Sequence, residues 1–200
     1  MDGTERASIW LAKLISYIFS APLFALYSVV LIALQGGDVF HPLHACTAIL
    51  ICFVYLTVLP LLPIIVGSIF GRVDLFVSER EKRARFFLLA LLSYTLGILT
   101  SQLLGCRGLL IIHASYFIVT LAMMLTTLRT KASVHVAGVM GPATYTVYLL
   151  GPSSIWLYLI SIPVAWARIK LGAHTITEVA LGGGIAVAAT ILTCYAINHV

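Results

Sequence analysis

Charge is scarce in this chain: of its 200 residues only 10% are Asp, Glu, Lys or Arg, while 61% are hydrophobic. A soluble domain carries charge on roughly a quarter of its residues, and a core of this size cannot hide that much apolar surface. A water-soluble globule is therefore excluded. Cysteine is scarce too. The four present, Cys46, Cys52, Cys106 and Cys194, lie in or beside apolar runs with no CxxC spacing, which excludes a disulfide framework or a zinc site. They read as small core residues. The seven acidic residues are too few and too scattered for a two-metal centre. Neither an aspartate-rich motif of the prenyltransferase kind nor paired aspartates of the CDP-alcohol transferase kind is present, so no metal and no cofactor are expected. No repeat, low-complexity stretch or long charged linker marks a second domain, and residues 1–200 read as a single integral membrane domain.

What the chain has in abundance is apolar runs. They fall at 8–34, 45–70, 86–105, 107–128, 135–151, 154–168 and 177–198. Mean hydropathy is +1.08, and a helix needs about 20 apolar residues to cross about 30 Å of hydrocarbon. The expected fold is thus an all-α, polytopic transmembrane helical bundle of about six to seven membrane segments. The first run is too long for a secretory h-region and reads as a first spanning helix. The fifth and sixth runs are short, and Gly151-Pro152-Ser153-Ser154 is a turn sequence between them. Pro163 would interrupt any continuous helix there. These two are expected to be short or partly inserted.

The few charges and imidazoles gather at three breaks in the runs: Arg80 and Arg83, then Lys131-Ala-Ser133-Val-His135, then Arg168-x5-His174-x3-Glu178. Two runs separate the first cluster from the second, and two separate the second from the third. An even count returns the chain to the same membrane face, so all three clusters can meet at one surface. Eleven of the twelve basic residues lie on that side, and only Arg107 lies opposite. The positive-inside rule makes it the cytoplasmic face.

His174 and Glu178 stand four residues apart at the start of the last helix and share a face. A carboxylate there can accept from one ring nitrogen, fix the tautomer and leave the other nitrogen's lone pair free to attack. Arg168 offers a guanidinium suited to bidentate phosphate binding, and Lys131, Arg80 and Arg83 add positive charge. Ser133 stands near the N-cap of a helix, where free amides favour phosphate. His135, just inside that helix, can act as general acid toward a leaving oxygen. A lone interfacial histidine is more often a packed residue bonded to a carbonyl. His113, in mid-span, is read that way, and Gly182-Gly183-Gly184 is read as a place of close helix approach. His174 and His135 differ because Arg168 and Glu178 accompany them.

This arrangement resembles the type 2 phosphatidic acid phosphatase superfamily over residues 72–185. That family carries a Lys-x6-Arg-Pro motif, a Pro-Ser-Gly-His motif and a Ser-Arg-x5-His-x3-Asp motif. The third is the most specific match: Ala167-Arg168-Ile-Lys-Leu-Gly-Ala-His174-Thr-Ile-Thr-Glu178 keeps both spacings. The resemblance implies His174 as a nucleophile that becomes phosphorylated, Glu178 as its orienting partner and His135 as general acid. It implies Arg168, Ser133, Arg83 and Arg80 as phosphate ligands, with Lys131 beside them. Departures are visible. The second motif reads Ala132-Ser133-Val134-His135, the first lacks its lysine and proline, and Glu178 stands where the family has aspartate.

The implied activity is metal-independent hydrolysis of a lipid phosphate or diphosphate, phosphatidate-like or polyprenyl, in the plasma membrane. Its partners are membrane lipids and the lipid phosphate itself, and no nucleic acid. The alternative is a lapsed family member that binds phosphorylated lipid or anions without turnover. A transporter ranks below both, because the span interiors hold almost no charge.

Overall fold

The computed structural model describes residues 3–74, 77 and 79–199, apart from the side chains of Arg80 and Glu81. All regular structure among them is helical. Eight helices run α1 Gly3–Ile18, α2 Ala21–Gln35, α3 Ala45–Ile69, α4 Arg80–Leu103, α5 Arg107–Thr127, α6 Val134–Leu150, α7 Ser161–Lys170 and α8 Ile176–Asn198. Two 3₁₀ stretches, Gly37–Phe40 and Pro152–Ile160, connect neighbours.

Four of these, α3, Lys82–Leu103 of α4, α5 and α8, are long and apolar enough to cross a bilayer, and α1 with α2 makes a fifth if that bent pair is one span. This falls short of the expected six to seven segments. The first run, expected as one helix over 8–34, is broken by a 57° bend between α1 and α2. Ser20 is extended at the junction (φ −64°, ψ 148°). Pro22, two residues on, has no N–H to continue the helical ladder but is tolerated in the first turn of a new helix. The fifth run is α6, only 17 residues long. The sixth is split between a 3₁₀ stretch and the ten residues of α7. Between them Gly151 takes φ +91°, a conformation that a side chain would oppose, and so ends α6.

Helix α3 contains a widened π-helical turn at Phe53–Val58, just before Pro60. A proline removes one rung of the ladder, and a π turn is a common way of absorbing the disruption. Helices α4 and α5 form a tight antiparallel pair, and α6 packs between α2 and α8. Helix α1 lies against α7.

The four cysteines are free thiols, three buried and Cys46 exposed. His113 is a packed helix residue: its Nδ1 lies 2.9 Å from both Ser101 Oγ and the Leu109 carbonyl, and its ring stands edge-on to Tyr55. The apolar core divides into a large cluster centred on Ile32, Leu56, Leu109, Ile112 and Tyr145, one around Phe24, Val139 and Val164, and a small one around Phe87, Met123 and Ala186. The last of these lies toward the starts of α4, α6 and α8, next to the charged residues.

Candidate active site

The start of α8 is built by local rules. Thr175 is its N-cap and accepts from the Glu178 amide at 3.3 Å, while Glu178 Oε2 accepts from the Thr175 amide at 3.0 Å. This reciprocal capping box satisfies two amides that the helix cannot satisfy itself. Glutamate at the third position has the reach for it. The same Oε2 lies 3.2 Å from His174 Nδ1. The closer partner of that nitrogen is the Lys131 carbonyl, at 2.9 Å. Carboxylate and carbonyl are both acceptors, so Nδ1 carries the proton and Nε2 keeps its lone pair.

Arg168 and His174 are held together by the turn between α7 and α8. The Arg168 carbonyl accepts from the Ala173 amide at 3.0 Å and from the His174 amide at 3.3 Å. The Arg168 guanidinium donates to Ser16 Oγ, 3.4 Å away at the end of α1. That contact gives the bend between α1 and α2 a place in the site.

The second cluster is fixed to the third through backbone. Ser133 N–H donates to the Glu178 carbonyl at 3.0 Å, and the Ser133 side chain caps α6 by accepting from the Val136 amide at 3.5 Å. Gly182 permits this approach, since a Cβ there would lie 2.5 Å from the Ser133 carbonyl oxygen and 3.0 Å from its nitrogen. The close approach expected of the triple glycine is thus located at its first residue.

Arg83 completes the group. It is 6% exposed, its Nε donates to the Val77 carbonyl at 2.8 Å, and its Nη1 is buried with no hydrogen-bond partner. Arg168 is 3% exposed. Burying a guanidinium costs several kcal/mol unless an anion or acceptors compensate it. The Asp74 carboxylate acts on both arginines, and with two cations against that one shared acid the group keeps a positive balance suited to a further anion.

His174 lies in the turn at 171–175, outside the spans. Burial, and after it the charges of Arg168 and Arg83, lowers its pKa from the ordinary 6.5 to about 4. Its bonds to Glu178 and to the Lys131 carbonyl pull the other way without prevailing. The imidazole is therefore neutral at physiological pH, with a free lone pair. The charges of Arg168, His174 and Arg83 also act on His135, so all four groups share one neighbourhood.

Arg83, His135 and His174 line one end of a cavity of about 450 Å³. The rest of its wall is mainly apolar, with Phe86, Phe87 and Ala90 from α4 and Met123 from α5. Tyr17 and Ile65 also belong to the lining and are exposed on the surface of the bundle, beside the charged end. The arrangement suits a molecule with an anionic head and an apolar body.

Of the residues singled out in the sequence, Arg83, Ser133, His135, Arg168, His174 and Glu178 come together. Lys131 takes part through its carbonyl, not its ammonium group, which is absent from the cavity lining. The Arg80 side chain lies outside the described residues. Sequence reasoning missed Ser16 and Tyr17, and it missed three tyrosines, Tyr94, Tyr116 and Tyr145, at the far end of the cavity. Pro22 was the available signal for the first pair. Compared with known proteins, the chain matches no family model, no curated protein and no solved structure.

Proposed function

We propose that this protein is an integral membrane phosphatase that hydrolyses a lipid phosphate through a phosphohistidine, in the manner of the type 2 phosphatidic acid phosphatases it resembles. The observation that carries this reading is the neutral, tautomer-fixed His174 lining the same cavity as His135 and the buried Arg83, whose Nη1 has no partner. Phosphoryl transfer asks for positioning and for positive charge around the equatorial oxygens. Arg83 and Arg168 supply that charge.

In the reaction, His174 Nε2 attacks phosphorus, a P–N bond forms, and the P–O bond to the lipid breaks. The substrate binds as its phosphate monoanion, whose P–OH proton passes to the otherwise neutral His135 and from there to the departing alkoxide, which leaves as an alcohol. A water then attacks the phosphohistidine, His135 takes its proton, the P–N bond breaks and inorganic phosphate leaves. Glu178 and the Lys131 carbonyl hold the His174 ring throughout. The site faces the cytoplasm in this reading, and the plasma membrane is the expected location.

The test is phosphate release from phosphatidate, lysophosphatidate and polyprenyl mono- and diphosphates by purified protein with a chelator present, beside His174→Ala. Release that survives chelation and is lost in the variant is the expected result. No release by a folded parent chain that still binds these lipids would favour the lapsed, binding-only alternative.

A further inference from the structure

The cavity runs away from its charged end, and three aromatic rings line its far part. Tyr94 of α4, Tyr116 of α5 and Tyr145 of α6 stand in contact, with ring centroids 5.4 Å apart for the first pair and 6.3 Å for the second. Two of their hydroxyls are engaged: Tyr145 with Ser28 Oγ at 2.5 Å and Tyr116 with the Ala21 carbonyl at 3.3 Å. Tyr116 and Tyr145 therefore meet the cavity with ring carbon, and beside them Ser115 Oγ and Thr190 Oγ1 line it without hydrogen-bond partners.

The distance from charge to rings is the same on two helices. Tyr94 follows Arg83 by eleven residues and Tyr145 follows His135 by ten, and all four line the cavity. At 1.5 Å per residue these intervals are about 16 Å and about 15 Å. Between them the lining includes the small residues Ala90 on α4 and Ala137 and Gly141 on α6, beside the larger Phe87, Val119 and Met123. The space is a shaft, with a charged mouth and an aromatic floor.

We infer that this shaft takes a single apolar chain and measures its length, so that the lipid phosphates accepted are single-tailed with about 10–15 carbons. A staggered hydrocarbon chain with bonds of about 1.5 Å advances about 1.25 Å per carbon, so a path of about 15 Å holds about twelve. Volume gives a similar figure. A methylene fills about as much space as a water molecule in the liquid, about 30 Å³, so the cavity holds about fifteen such groups. Two acyl chains of ordinary length need at least twice that. The unpartnered Nη1 of Arg83 fixes where the head sits, and the floor fixes where the tail must end.

This inference rests on the phosphate-binding part of the proposed function but not on turnover, and the experiment separates the two. Protein exchanged from detergent into amphipol, so that no free alkyl chain competes, is titrated with non-hydrolysable alkylphosphonates of 6 to 20 carbons, reading the shift in Tm. The expected profile rises to a maximum near 12–15 carbons and then falls (the estimate above). Ala90→Leu fills the shaft seven residues beyond Arg83, about 10 Å along, and moves the maximum to about eight carbons. Tyr94→Ala opens the floor and moves it upward, so the two variants report in opposite directions and either one alone is decisive. A profile without a maximum, or one that neither variant moves, overturns the ruler. A sharp maximum with no phosphate release from the matching alkyl phosphates leaves the ruler standing and overturns the phosphatase.

Discussion

The Lys131 carbonyl is nearer to His174 than Glu178 is: Nδ1 lies 2.9 Å from the carbonyl oxygen and 3.2 Å from the carboxylate. The imidazole is thus oriented by backbone first and by a side chain second. A carbonyl cannot be removed by mutation and does not titrate. This bears on glutamate at 178, where the phosphatase motif that this segment resembles has aspartate.

Glu178→Gln is expected to lower turnover by about 10–100-fold, the usual cost of losing a partner of an essential group. A triad whose imidazole depends on its carboxylate alone loses about 10⁴-fold. Glutamine also preserves the capping box, so Tm should hardly change. Steady-state rates and a thermal melt decide it, and a loss near 10⁴-fold would mean that the Lys131 carbonyl does not hold the ring.

His135→Ala should separate leaving groups. Loss of a general acid costs about 10²–10⁴-fold when an alkoxide must be protonated, and much less for a nitrophenolate, which leaves unaided. The variant should therefore hydrolyse an alkyl phosphate very slowly, yet show a burst with p-nitrophenyl phosphate and accumulate phosphohistidine. Equal losses on both substrates would remove His135 from the proton-transfer role.

The pH dependence follows from the lowered basicity of His174. The free enzyme should keep its nucleophile until pH falls to about 4, so the acid limb of kcat/KM assigned to His174 lies there and not near 6.5. Stability has a matching sign. The folded state binds this proton less readily than the unfolded chain does, so the contribution of His174 is fully present above 6.5 and is lost as pH falls from 6.5 toward 4. NMR titration of the His174 ring, beside the rate profile, tests both statements.

Gly182→Val should damage structure and activity together. The new side chain meets the Ser133 backbone where α6 and α8 converge, and overpacking of this kind costs about 1–3 kcal/mol. The pair most affected is His135 and His174, one carried by each segment. Gly184→Ala is the control, because a Cβ there meets nothing within 4 Å; it should leave the rate unchanged and hold or raise Tm, since alanine favours the helix.

Much of this architecture was legible in the residues. The runs at 45–70, 107–128 and 177–198 became α3, α5 and α8 within a residue or two, because a continuous apolar stretch of spanning length has few alternatives. Arg168, His174 and Glu178 were legible because the spacing is local. The bend after Ile18 was not read, since Ala21-Pro22 lies inside an unbroken apolar run and hydropathy does not register a missing N–H. The Lys131 carbonyl carries no residue-type signal at all. The tyrosine floor is assembled from three helices, and nothing in any one of them marks its members as neighbours.

The five residues between Arg168 and His174 are spanned by the Arg168 carbonyl, which binds the amides of both Ala173 and His174. Those bonds use main chain, so they are indifferent to which side chains occupy 169–171. They are not indifferent to how many residues there are. One residue more or fewer would turn the start of α8 by about 100° and carry the imidazole away from the arginine. Substitutions at 169–171 are therefore expected to be tolerated, those at Gly172 (φ +64°) less so, and insertions or deletions are expected to break the site. The turn constrains the length of the segment before it constrains its spelling.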